Sequence, residues 1–164
     1  MSLFLHAGAQ HVTLEEVRAV PTPDSTETWF PVPHSTVIDA IKTGLADHSN
    51  FNVVSEEYGL WADGARLFGL LGIQNGDQAD DYQLNIGFRN SNDKAFSLGY
   101  AFGNRVFVCD NLVFSGEVTF KRKHTRFARR DLFRVVAQGF GELGRLRQTL
   151  DDRVASYKRT ELAD

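Results

Sequence analysis

The sequence predicts an α+β fold in which a mostly antiparallel β-meander sheet packs against a short central helix and a long C-terminal helix. In residues 82–102 apolar side chains alternate with small or polar ones, which is the period of strands that place one face on a core. From about Arg129 the apolar residues recur every three or four positions, which is helical spacing. A length of 164 residues fits one domain, residues 1–164.

Two short helices are predicted in the first third of the chain. Thr13 and Glu16 have the spacing of a capping box, and the helix that they start is expected to end near Ala19, before two prolines. Apolar residues at helical spacing predict an amphipathic helix over residues 35–47, with Ser35 as its N-cap.

Strand patterns begin after this helix. Residues 51–60 start with alternating apolar positions, and Asp63-Gly64 is a hairpin turn signal. Residues 65–73 have few polar side chains, which predicts a returning strand that is buried on both faces. A polar, acidic loop is expected at residues 75–81.

The alternating region contains three or four further strands. Residues 90–93 are Asn, Ser, Asn and Asp, which are residue types suited to a tight connection between two strands. Gly103-Asn104 separates two apolar runs and predicts a two-residue hairpin turn. The last strand is expected at residues 113–120, with Gly116 as a possible β-bulge.

One long helix is predicted over residues 129–158. Its glycines at 139, 141 and 144 lower its intrinsic stability and indicate a close approach of another backbone or a kink. The apolar residues of this helix form one stripe along its surface, and this stripe could pack on the sheet or on a second copy of the chain. The residues of the stripe are Leu132, Val136, Phe140, Leu143, Leu146, Leu150, Val154 and Tyr157.

The composition is that of an ordinary globular protein, with 42% apolar and 24% charged residues. A single cysteine, Cys109, excludes an internal disulfide framework, fits a reducing compartment and is expected to be a buried, inert thiol. The sequence shows no signal peptide and no apolar run long enough for a membrane span. A cytoplasmic location is therefore expected.

The net charge of −3 conceals an asymmetry along the chain. Residues 1–81 carry 3 basic and 12 acidic side chains, whereas residues 82–164 carry 15 basic and 9 acidic ones. Seven of the fourteen residues at positions 121–134 are Lys or Arg, and only Asp131 among them is acidic. Such a run favours either a solvated surface or a local anion-binding patch.

Four segments together resemble a known family. They are VPHSTVIDAI, SEEYGLWADGARLFGLLGI, IGFRNSNDKAFSLGYAFGNRVFVCDNLVFSG and KRKHT, within residues 31–125. In this order they resemble the domain of unknown function 932, which is common on phages, prophages and conjugative plasmids. The resemblance implies a compact version of a mobile-element protein, and it implies no particular activity.

The leading functional hypothesis is a non-enzymatic protein that binds single- or double-stranded DNA, through single-strand binding or annealing. Cationic side chains would contact the phosphate backbone. The polar connection of Asn90, Ser91, Asn92 and Asp93 either contributes to phosphate binding or is an ordinary hairpin loop. The predicted nucleic-acid-binding residues are Arg89, Lys94, Lys121, Arg122, Lys123, His124, Arg126, Arg129 and Arg130.

Two alternatives remain open at this point. The stripe of the long helix could assemble the chain into an oligomeric protein-interaction module. A metal-dependent nuclease using His34, Asp93 and His124 ranks third, because no metal-ligand spacing supports it. The sequence contains no specific catalytic signature and predicts no cofactor.

Overall fold

The computed structural model describes residues 3–48, 50–76 and 82–161. In chain order the elements in these ranges are β1 (Gln10–Val12), α1 (Leu14–Ala19), α2 (His34–Asp47), β2 (Phe51–Trp61), β3 (Arg66–Asn75), β4 (Leu84–Ser91), β5 (Leu98–Gly103), β6 (Phe107–Val108), β7 (Phe114–Ser115), β8 (Val118–Arg122) and α3 (Ala128–Glu161).

The main sheet has six antiparallel strands in the order β1-β2-β3-β4-β5-β8, and β6 pairs with β7 in a separate two-stranded sheet. Helices α2 and α3 pack on one another, and α3 also contacts β5 and β8. The predicted α+β class, the antiparallel meander and the long C-terminal helix are therefore confirmed. No helix in the described ranges is long and apolar enough to cross a membrane.

The larger core lies between the sheet and the two long helices. The buried ring of Phe102 makes edge-to-face contacts with Phe120 and Phe140, with centroids 6.1 and 5.8 Å apart. The buried hydroxyl of Tyr100 donates a hydrogen bond of 3.0 Å to the carbonyl of Val37 in α2. Aromatic packing and this bond hold the two helices against β5 and β8.

A smaller apolar cluster occupies the opposite face of the sheet. Gly87 in β4 makes it possible, because a Cβ there would lie 2.5 Å from a methyl of Val108 and 2.6 Å from one of Val106. Both valines are buried against the sheet. The segment between β5 and β8, residues 104–117, thus folds over this face as an arm that contains β6 and β7.

Asp110 ties the N-terminal segment to this arm. Its carboxylate accepts hydrogen bonds from the backbone N–H groups of His6, Ala7 and Ala9 at 2.8, 2.7 and 3.1 Å. Burial by itself raises the pKa of the Asp110 carboxyl, but these donors outweigh it and the pKa lies below its ordinary value. Cys109 is only partly buried, contrary to the prediction, and its Sγ lies 3.6 Å from Asp110 Oδ1.

The arm corrects two sequence-based predictions. Gly103 ends β5 with a φ of +149°, but β5 pairs with β8 and not with β6, so Gly103-Asn104 is not a hairpin turn. Residues 113–120 form two strands, β7 and β8, which belong to different sheets. Gly116 is the point at which the chain passes from the arm back to the main sheet, rather than a bulge within one strand.

Local signals in the first half of the chain were more accurate. The capping box is confirmed, because Thr13 Oγ1 accepts from the Glu16 amide while Glu16 accepts from the Thr13 amide. The hairpin between β2 and β3 is confirmed around Gly64, which has a φ of +83°. The acidic loop predicted at residues 75–81 lies outside the described residues except for its first two positions.

Helix α2 begins one residue earlier than predicted. It starts at His34 after Pro33, and no side chain caps it, so the predicted N-cap role of Ser35 is wrong. The carbonyl of Pro33 accepts from the amides of Thr36 and Val37 at 3.0 and 3.4 Å. Pro33 itself is the N-cap residue, with a ψ of +136°, and its side chain offers no acceptor for the first amides of the helix.

Two glycines of α3 are expected to respond oppositely to alanine. A Cβ at Gly139 would lie 2.2 Å from a ring carbon of Phe102, whereas a Cβ at Gly141 meets nothing within 4 Å. Gly141→Ala should raise the free energy of unfolding by about 0.5–1 kcal/mol, because alanine favours the helix, and Gly139→Ala should lower it. Urea denaturation measures both. Equal stabilisation by the two substitutions would contradict the close packing at Gly139.

Candidate nucleic-acid interface

The structure divides the predicted basic residues between the interior and the surface. Arg89 lies on β4, on the sheet face opposite α2 and α3, and is only 8% exposed. Its guanidinium carbon lies over the rings of Phe96 and Phe114, at 4.9 and 4.7 Å from their centroids. Burial lowers the pKa of Arg89. Arg89 therefore does not belong to the exposed basic surface predicted for a nucleic-acid backbone.

The predicted polar hairpin is largely internal. Asn90 and Ser91 are the last residues of β4, and they and Asn92 are buried. Asp93 accepts hydrogen bonds from the Ser91 hydroxyl and from Arg66 Nε, the latter at 2.7 Å. Burial by itself raises the pKa of Asp93, but these bonds lower it below its usual range. Three of the four residues thus cannot meet a ligand at the surface.

His124 is buried too, in a network centred on Asn90. His124 Nε2 lies 2.8 Å from Asn90 Oδ1, and Asn90 Nδ2 lies 3.0 Å from His34 Nδ1. The same Nδ2 donates to the Val32 carbonyl at 2.8 Å, and His34 Nε2 lies 2.7 Å from the Gly64 carbonyl. Asn90, near the end of the interior strand β4, therefore joins the start of helix α2 to the segment that follows β8.

The hydrogen-bond partners fix His34 as a neutral imidazole, and they fix one proton position of His124. A carbonyl only accepts, so His34 carries its proton on Nε2 and its Nδ1 accepts from Asn90. Asn90 Oδ1 also only accepts, so His124 carries its proton on Nε2. Burial lowers the pKa of both histidines. His124 is a structural residue, and its predicted contact with phosphate is not supported.

Two of the predicted arginines pair with one carboxylate. Asp131, buried in the first turn of α3, accepts from the guanidinium groups of Arg122 and Arg130. Burial by itself raises the pKa of Asp131, but the hydrogen bonds and charges of the two arginines lower it below its ordinary value. Arg122 is thereby drawn toward the protein, whereas Arg130 remains largely exposed and stacks on Phe127 at 4.5 Å.

The remaining basic residues at the start of α3 share one exposed face. Arg129, Arg130, Phe133 and Arg134 are all exposed. Phe133 is four positions from Arg129 and three from Arg130, and Arg134 is four from Arg130, so these side chains are neighbours on the helix surface. Phe133 is 46% exposed. We call this surface, with Arg126 immediately before the helix, the basic helix face. Within the described ranges no carboxylate forms an ion pair with Arg126, Arg129 or Arg134.

The two lysines before α3 and the lysine after β4 are exposed, and of these Lys121 does not extend the basic helix face as predicted. In the register of β5 and β8, Tyr100 pairs with Phe120 and both point toward the helices, so Lys121 points to the other side. Lys123 is exposed in the connection to α3. Lys94 lies with its Nζ 5.1 Å from the ring centroid of Trp29.

The geometry required by the nuclease alternative is not found. His34 and His124 do converge, but on Asn90, and Asp93 is engaged by Arg66. The described part of the chain contains no group of three His, Cys, Asp or Glu residues placed to hold a metal ion.

The fold and this site define an α+β protein with an exposed cationic and aromatic face on its longest helix. Comparison with known proteins finds no matching protein-family model, no matching curated protein and no matching solved structure. The resemblance to the domain of unknown function 932 thus stays a prediction from the sequence.

Proposed function

We propose that this protein binds nucleic acid through the basic helix face and prefers single strands. The observation that carries the proposal is a set of exposed arginines, Arg126, Arg129 and Arg134, that have no ion pair within the described residues, together with the exposed ring of Phe133 on the same helix turn as Arg129 and Arg134. Unpaired cations on a surface attract a phosphate backbone because binding releases its condensed counterions. The mobile-element context implied by the family resemblance agrees with this role.

The position of these cations in the helix supports a binding role. Arg129 and Arg130 are the second and third residues of α3, where the helix dipole is positive and each cation costs about 0.3–1 kcal/mol. The only acidic residue of the first turn is Asp131, which is already paired with Arg122 and Arg130. Repulsion among these charges makes them poor stabilisers of the fold, and a bound polyanion would relieve it.

The exposed aromatic rings favour single strands over duplexes. Phe133 lies off the buried stripe, and Phe127 is 51% exposed with Arg130 stacked on it. Unpaired bases stack on such rings with a gain of about 1–3 kcal/mol per base, whereas the bases of a duplex are not accessible.

The proposal predicts salt-dependent binding of a labelled 20-nucleotide oligothymidine, measured by fluorescence anisotropy. In Arg129→Gln/Arg134→Gln, affinity should fall, and the slope of log K against log salt should decrease in magnitude by about 1.4, for two lost phosphate contacts. The control Arg18→Gln/Arg145→Gln removes the same charge from two exposed arginines that are paired with carboxylates. It should retain wild-type binding.

Two results would reject the proposal. One is the absence of binding to single- and double-stranded DNA at low salt. The other is an equal loss of affinity in both double variants, because binding would then depend on net charge and not on the basic helix face.

The oligomeric alternative retains one specific observation. The first half of the α3 stripe, up to Leu143, is buried on the sheet, so it is not available for assembly. Farther along, Leu150 and Val154 line an open cleft of about 640 Å³ with Phe107, and Tyr157 is 70% exposed. Light scattering of the full chain separates the two candidates, because this alternative requires a discrete multimer in the absence of nucleic acid.

A further inference from the structure

We propose that Arg89 forms the centre of a site for a small oxyanion, a phosphate or carboxylate group, on the sheet face opposite α2 and α3. This site is separate from the basic helix face, and it does not depend on nucleic-acid binding. Three features carry the inference: the missing counter-ion of Arg89, the unused edge of its guanidinium and a second cation in the same row of the sheet.

The first feature is the absence of a counter-ion. Only 8% of the surface of Arg89 is exposed, yet no carboxylate in the described ranges pairs with it. Its one hydrogen bond runs from Nη1 to the carbonyl of Leu112 at 3.2 Å. An arginine stays protonated, and an isolated buried charge is unfavourable unless an opposite charge approaches it.

The second feature is the geometry of the donors that remain. The guanidinium carbon lies over the rings of Phe96 and Phe114, and all of its N–H donors lie in its own plane. Nε is buried without a partner, and no described residue accepts a bond from Nη2. Nε and Nη2 form one edge of the guanidinium, and such an edge binds two oxygens of a carboxylate or phosphate.

The third feature is the neighbouring lysine. Arg89 pairs with Gly99, and Gly99 pairs with Lys121, so the three residues form one row across β4, β5 and β8 and face the same side. A Cβ at Gly99 would lie 2.8 Å from the ring of Phe114. The missing side chain therefore lets this ring lie over the row, between the two cations. Lys121 is exposed and has no ion pair in the described part of the chain.

A purely structural role for Arg89 makes a different prediction. If the guanidinium only holds the arm through Leu112, added anions should not affect it. The test is a titration of ¹⁵N-labelled full-length protein, with the Arg89 Nε–H signal assigned by triple-resonance spectra. Sodium phosphate, acetate and chloride are added separately at constant ionic strength.

We expect a saturable shift of the Arg89 Nε–H signal with phosphate, acetate or both, and none with chloride. Phosphate alone or acetate alone would identify the group that the site takes. Lys121→Gln should weaken the affinity about threefold to tenfold, because it removes the second charge. Lys42→Gln, which removes a lysine paired with Glu56, should not change it.

The absence of a saturable shift with both oxyanions would overturn the proposal, and so would an equal effect of the two lysine variants. Arg129→Gln/Arg134→Gln should leave this titration unchanged. Failure of the oxyanion site and failure of nucleic-acid binding are therefore distinguishable.

Discussion

Acidification is expected to destabilise this protein as soon as the pH falls below about 6.5, the ordinary pKa of histidine. The cause is the network in which Asn90 bridges His34 and His124. Protonation of His34 at Nδ1 would point an N–H group at the amide nitrogen of Asn90, 3.0 Å away. Turning the amide would relieve that contact, but it would break the bonds to Val32 and His124.

The sign of the effect follows from the pKa shifts. Burial lowers the pKa of both histidines in the folded protein, so below pH 6.5 the unfolded chain binds more protons than the folded one. Stability is therefore complete above about pH 6.5 and is lost as the pH falls toward the folded pKa values. The loss reaches at most about 1.4 kcal/mol per pH unit for each histidine, or about 2.7 for two.

The carboxylates act in a different pH range. The pKa values of Asp93, Asp110 and Asp131 lie below the ordinary value, so their contribution to stability is present above about pH 4 and is lost only below it. A loss of stability between pH 6.5 and 5 thus reports on the histidines.

The variant Asn90→Asp tests the network directly. A carboxylate oxygen in place of the amide nitrogen would face His34 Nδ1 and the Val32 carbonyl, and only a protonated His34 could donate to it. The variant should be less stable than the wild type at pH 8 and should gain stability on acidification to pH 6. Urea denaturation at several pH values gives both free energies. Parallel pH profiles for wild type and variant would show that Asn90 does not couple to the histidines.

Asn90 also shows how far the sequence could predict this region. The alternation Leu84, Ile86, Phe88 continues to position 90, so the period itself assigns Asn90 to the inner face of the sheet. The Asn, Ser and Asp residues at positions 90–93 instead indicated a turn, so the sequence predicted an end of β4 before Asn90, whereas the strand continues to Ser91. The outcome depended on partners from distant segments, His34 and His124, which no local pattern reveals.

The periodicity of apolar residues predicted the helices and strands well, whereas the pairing of the strands depends on tertiary packing that periodicity does not show. Helix α3, the burial of its apolar stripe up to Leu143 and the alternation of β4 and β5 are confirmed. The arm was missed because its path depends on the room above Gly87, which Val106 and Val108 fill. In the same way, the basic run was visible in the sequence, but the strand register decides that Lys121 and the basic helix face lie on opposite sides of the sheet.

Arg129→Glu is expected to raise the stability of the protein while it weakens nucleic-acid binding. Arg129 lies in the first turn of α3, where a negative charge interacts favourably with the helix dipole. Replacing a cation by an anion there should increase the free energy of unfolding by about 1 kcal/mol. If Arg129 contacts phosphate as proposed, the same change would remove that contact and add repulsion, so affinity for oligothymidine should fall about tenfold or more at low salt.

Arg159→Glu is the matched control, because it makes the same change of charge in the last turn of α3. A cation is favourable there, and Arg159 Nε donates to the Ala155 carbonyl at 3.2 Å. This variant should lose a little stability and retain its affinity. If Arg129→Glu gains stability and loses affinity while Arg159→Glu loses stability and keeps its affinity, then Arg129 serves binding and Arg159 serves the helix. A loss of stability in Arg129→Glu without any loss of affinity would assign Arg129 to the fold and remove the main support for the basic helix face.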